Sequence, residues 1–136
     1  MHRFGWFFVL LTVVWTMVAV ADGIYLTDAI KQPPYELALT NLLASSTHLP
    51  SWTGQVVKPK GDYVGSPATH ATIGGVEYEL FNTCKAHDCA DNKLEVMFAP
   101  KGAQAWGALV DGAKPISYLG GPTPAQQSAL KAALQK

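Results

Sequence analysis

Cys84 and Cys89 are the only two cysteines in the chain, and the segments flanking them both alternate apolar and polar residues. Residues 76–81 run Val-Glu-Tyr-Glu-Leu-Phe, and residues 93–98 run Lys-Leu-Glu-Val-Met-Phe. A period of two marks half-buried strands, and strands joined by so short a connection are predicted to be antiparallel neighbours. The stretch between them, Cys84-Lys85-Ala86-His87-Asp88-Cys89, then projects from one end of a sheet. The rest of the chain reads as the scaffold that holds it out.

The start of the chain decides whether those cysteines pair. Met1-His2-Arg3 precedes an uncharged apolar run over residues 4–18, and Ala19-Val20-Ala21 follows before Asp22. A basic start, an apolar core too short to span a bilayer comfortably and a small-x-small site define a secretory signal peptide, with cleavage expected after Ala21. An uncleaved N-terminal anchor is the competing reading, but no longer apolar run follows it. Residues 22–136 are then enough for one domain with a modest core and too few for two. In an oxidising compartment the two thiols are expected to form a disulfide. Their spacing is not the Cys-x2-Cys of a redox site. A zinc site using Cys84, His87 and Cys89 competes, but it lacks a fourth ligand. From Asp22 onward the chain carries nine lysines, no arginine and ten acidic residues. That balance argues against nucleic acid and against a polybasic membrane surface, both of which need clustered cations. No cofactor is expected.

Residues 22–46 have a helical pattern. Thr27 and Asp28 can cap a short turn, Pro33-Pro34 restarts the chain, and the apolar residues 35, 38, 39, 42 and 43 share one helical face. Leu49-Pro50-Ser51-Trp52 reads as an apolar clasp packing helix to sheet. Residues 55–67 read as an irregular surface connection. Residues 68–73, Gly74-Gly75 and residues 76–81 form a hairpin, with Thr69, Ala71 and Ile73 on one face. Residues 93–98, 106–110 and 116–119, separated by turns at 100–102 and 111–114, complete a meander of about five strands. Thr123 as N-cap, Pro124 at the first helical position and Gln126 at the third begin a final helix, with Ala129, Leu130, Ala133 and Leu134 as its apolar stripe. The order is helices, meander, helix, an α+β pattern.

A disulfide across so few residues closes little chain, so its entropic effect on stability is below the roughly 3 kcal/mol of a much longer loop. Two readings of the ring remain. It holds side chains in a bound-like shape for a partner's cleft, or it only tidies a hairpin end, with His87 idle in solvent. Catalysis is less attractive, because His87 and Asp88 are sequence neighbours that seldom point together as base and orienting acid. Thr83, the nearest hydroxyl, reads as a strand residue. Glu77 and Glu79 share a strand face and read as a solvated edge rather than a working carboxylate pair. The exposed sheet edge is a surface on which two copies could pair.

The ring resembles the signature of the Ivy family, periplasmic inhibitors of vertebrate (c-type) lysozyme from Gram-negative bacteria. Leu49-Pro50-Ser51-Trp52, the Tyr78 strand and Leu94-Glu95-Val96-Met97-Phe98 are similar to that family as well, so the likeness runs from about Leu49 to Phe98. The family usually has proline where this chain has Ala86. The resemblance implies a three-layer α/β/α fold, a five-stranded antiparallel meander sheet flanked by helices. It also implies a periplasmic, non-enzymatic inhibitor whose loop plugs the lysozyme cleft. His87 would sit between the catalytic carboxyl groups, Lys85 and Asp88 would contact the cleft walls, and Cys84 and Cys89 would hold the shape around Ala86. Alternative expectations are control of an endogenous lytic transglycosylase, or a periplasmic interaction domain that inhibits nothing.

Overall fold

The computed structural model describes residues 23–136. The expected signal peptide, residues 1–21, lies outside the described residues. Helix α1 (Leu26–Ala29) is a single turn, and α2 (Pro33–Ala44) starts on its two prolines, where a missing N–H removes no helical hydrogen bond. Asp28 belongs to the first turn rather than preceding it, and its carboxylate accepts the Tyr25 N–H at 3.3 Å. That bond, followed by Lys31 beside it, holds the Asp28 carboxyl below its ordinary range. Tyr35, Leu39 and Leu42 are the buried face of α2, with Ala38 and Leu43 half-buried beside them.

Six strands form one antiparallel sheet: β1 (Tyr63–Gly65), β2 (Thr69–Ile73), β3 (Val76–Lys85), β4 (Asn92–Phe98), β5 (Ala105–Asp111) and β6 (Ser117–Leu119). β2 to β6 are the five strands expected from the sequence, each hairpinned to the next. Gly74 and Gly75 both have positive φ, 57° and 78°, as a two-residue hairpin turn demands. β1 is the correction. It lies in the stretch read as irregular and continues the edge that β2 begins, pairing Tyr63 with Lys85 and Val64 with Cys84. Three residues are too few to show alternation. A second correction precedes it: the clasp is the start of a 3₁₀ segment, Ser51–Val57, that buries Trp52 and Val56. Gly61 follows it, where a side chain would collide with the Gln55 carbonyl.

Because strand residues alternate, β3 and β4 supply both cores. Phe81, Leu94, Val96 and Phe98 join Leu26, Tyr35, Leu39, Trp52 and Val56 in one cluster. Leu80 and Met97 join Trp106, Ala108, Leu130 and Leu134 in the other. Leu130 and Leu134 come from α3 (Pro124–Leu134), which starts as expected: Thr123 Oγ1 accepts the Gln126 N–H at 3.3 Å, and Gln126 Oε1 accepts the Thr123 N–H at 2.9 Å. Trp52, the expected helix-to-sheet clasp, sits in the first cluster. The scaffold is thus packed on either side of the two strands that carry the cysteine loop. Among the described residues no helix is long and apolar enough to cross a membrane.

Candidate functional site

β3 runs four residues beyond the apolar Phe81, and Cys84 is still a buried, paired strand residue. Thr83 is fully buried and donates its hydroxyl to the Leu94 carbonyl at 2.8 Å, so its role is to tie β3 to β4. Cys84 and Cys89 are bonded to each other. Between them the Asp88 N–H donates to the Lys85 carbonyl at 3.0 Å, closing a β-turn whose central residues are Ala86 and His87. His87 has φ 66° and Ala86 does not have positive φ. Positive φ at the second central position alone is the signature of a type II turn. Its residue there is normally glycine, because an L side chain crowds the following carbonyl. An imidazole in that position is therefore held out on the crest of the turn.

Lys85 and His87 are exposed, while Ala86, Asp88 and Cys89 are half-buried. Among the described residues nothing hydrogen-bonds the His87 ring, whereas Asp88 is engaged: Asn92 Nδ2 donates to Asp88 Oδ2 at 2.7 Å. The Gly112 N–H donates to the Asp91 carbonyl at 2.7 Å, joining the far side of the loop to the turn after β5. At the near side an open cleft of about 280 Å³ lies between Lys85 and Ala86 on one wall and Ser51, Trp52, Gln55 and Asp62 on the other. The structure thus brings all six ring residues together at one end of the sheet. Sequence reading missed Asn92 and Gly112; the spacing of Asp88 and Asn92 across the end of the ring was the available signal for the first.

The expectation of a solvated edge holds for Glu77 and fails for Glu79. Glu77 is exposed, 3.9 Å from His70 Nε2, but Glu79 is half-buried and accepts the Tyr35 hydroxyl at 2.5 Å. Burial, then that bond, push the Tyr35 phenol up to about 12. Among the described residues the carboxyl group most displaced from its usual range is Glu95, only 1 % exposed, whose burial raises it to about 7 against the opposing hydrogen bond from Asn82. It lies within β4, away from the ring.

Fold and loop together define a small α+β domain that presents a disulfide-tied loop from the end of its sheet. The chain is similar to proteins named as inhibitors of vertebrate lysozyme. It is 28% identical over 96 residues to the inhibitor of vertebrate lysozyme of Pseudomonas aeruginosa, covering 71% of this chain and 60% of that protein. The protein of the same name from Escherichia coli K12 is 33% identical over 70 residues, 52% of this chain and 41% of the relative. An uncharacterized Yersinia pestis protein is 28% identical over 129 residues, covering 86% and 80%. The chain spans about three fifths and two fifths of the two relatives named as inhibitors. No protein-family model matches it.

Proposed function

We propose that this chain is a proteinaceous inhibitor of c-type lysozyme, exported to the periplasm by a signal peptide cleaved after Ala21. It acts without catalysis, by inserting the loop from Cys84 to Cys89 into the enzyme's cleft. The observation that carries the reading is the His87 imidazole, exposed and without a hydrogen-bond partner among the described residues, on the crest of a disulfide-closed turn. The relatives' names give the target class.

The chemistry follows from the target. A retaining muramidase holds two carboxyl groups about 5 Å apart, one protonated and one ionised. A neutral imidazole has one nitrogen that accepts and one N–H that donates. Placed between the two groups it accepts from the acid and donates to the carboxylate, the latter bond being worth about 1.5 to 3 kcal/mol. The sugar chain is then excluded by the same atoms that would hydrolyse it. Lys85, exposed beside the turn, and the unengaged Asp88 oxygen meet the cleft walls, while Cys84, Ala86 and Cys89 form the backbone of the plug.

Titration of c-type lysozyme with the purified mature domain should abolish cell lysis near equal stoichiometry. His87→Ala should weaken inhibition at least tenfold, the loss expected for a hydrogen bond to a charged partner, with the folded domain unchanged. Undiminished inhibition by H87A sinks the plug. A parallel titration against a bacterial lytic transglycosylase, whose cleft also surrounds a catalytic acid, decides between the two muramidase classes. Inhibition of neither leaves a periplasmic interaction domain.

A further inference from the structure

We propose that Asn92 is a positioning residue for the loop, acting through Asp88 to set the direction in which His87 is presented. The inference rests on the inhibitor reading for its consequence but not for its geometry. Within the ring, Asp88 makes the one side-chain hydrogen bond to a residue outside it among the described residues, and its donor is the Asn92 amide at 2.7 Å.

Three features make this contact a clamp. Asn92 is the first residue of β4 and is in register with Asp111 of β5, so its backbone belongs to the sheet and not to the loop. Asp88 is the last residue of the turn and directly follows His87, so fixing its side chain limits rotation just after the imidazole. The residue before His87 is Ala86, which leaves φ free where a proline would lock it. Order that the turn lacks on its N-terminal side is supplied on its C-terminal side. The choice of donor also matters. An amide engages Asp88 Oδ2 without cancelling the carboxylate's charge, so Oδ1 stays available and the loop keeps its anion for a partner. A lysine at this position would have neutralised it.

The experiment is a double-mutant cycle read in two ways. Asn92→Ala, Asp88→Ala and the double variant are titrated against c-type lysozyme. Hydrogen exchange at the Asp88 N–H, which closes the turn, is followed in each free protein by NMR. If Asn92 works through Asp88, N92A weakens inhibition about tenfold, as loss of a charge-assisted hydrogen bond does. N92A should then add nothing on the D88A background, and Asp88 exchange should quicken while the sheet amides keep their protection. Additive losses, or unchanged Asp88 exchange in N92A, overturn the proposal. Asn92→Asp supplies a readout that a purely structural role would not move. It sets two carboxylates against each other, so turn protection should be lost at neutral pH and return in acid, where the pair shares a proton. Protection indifferent to pH in N92D also overturns it. Were the wild-type domain to leave lysozyme untouched, the inhibitor reading would fall, while the exchange data would still decide the clamp.

Discussion

His87 occupies a backbone conformation uncommon for any residue but glycine, with φ 66°, and the turn around it shows which neighbour would help. Ala86 stands at the first central position of a type II turn, where φ near −60° is needed and proline is favoured. Lys85, the residue before it, is the last residue of β3, and extended backbone is what a following proline requires. No turn or loop bond among the described residues uses the Ala86 N–H. Ala86→Pro therefore removes freedom from the unfolded chain. It should raise stability by about 0.4 to 1 kcal/mol in denaturant titrations. Because the same φ is locked in the free loop, lysozyme inhibition should tighten as well. A variant that is destabilised would show the turn to be of another type. The place of the ring at the end of the sheet was legible in the sequence, and so was the exposure of His87. The turn type was not, since a type II turn is announced by glycine and here carries histidine.

Between elements, the informative contact is β4 against α3. Alternation along β4 sends Glu95 to the same face as Met97, and the register places it between Asn82 and Ala108. That face is closed by Leu130 and Leu134 of α3. Asn82 Nδ2 donates to Glu95 Oε2 at 2.8 Å; Lys93, two residues away on the same face, donates its ammonium to the Leu134 carbonyl, and Lys136 acts on Glu95 only as a more distant charge. Burial is the dominant influence and raises the carboxyl from 4.5 to about 7. Between those two values the folded protein keeps a proton that the unfolded chain has released. Stability thus falls as pH rises from about 4.5 to about 7 and levels off above, by up to about 3 kcal/mol from this group. Glu95→Gln keeps an acceptor for Asn82 and has nothing to ionise. Unfolding midpoints measured from pH 4 to 8 should slope downward for the wild type and lose that component in E95Q, which becomes the more stable protein at pH 8. Parallel slopes would mean that folding leaves the Glu95 carboxyl at its ordinary value. The sequence concealed this group because a glutamate in an alternating strand reads as the outward residue. Here both faces of β4 are covered, and alternation no longer separates inside from outside. Glu77 and Glu79 are the more conspicuous carboxylates of the sequence, yet neither is as deeply buried.

In the whole molecule, what was legible divides by length of signal. The five-strand meander, the Gly74-Gly75 turn, the proline restart of α2 and the Thr123 capping box each repeat a pattern over enough residues to be read locally. β1 and the Ser51–Val57 turn do not, because three strand residues and a 3₁₀ segment are fixed by what they pack against. Those two unannounced pieces flank the ring, lining its cleft and pairing with the end of β3. The ring is consequently braced by scaffold on every strand it touches, and this separates what the disulfide does for stability from what it does for binding. A ring closed by residues five apart restricts the unfolded chain by about 2 kcal/mol at most. The two apolar clusters remain when it opens. Reduction, or replacement of both Cys84 and Cys89 by alanine, should therefore lower the unfolding free energy by no more than that amount. Inhibition should fall far more steeply, because an open loop must be ordered again each time it enters a cleft. Denaturant titration and lysozyme inhibition on the same reduced sample make the comparison. If inhibition declines only in proportion to stability, the disulfide is a structural tie like any other, and the loop's shape resides in the turn and in Asn92 alone.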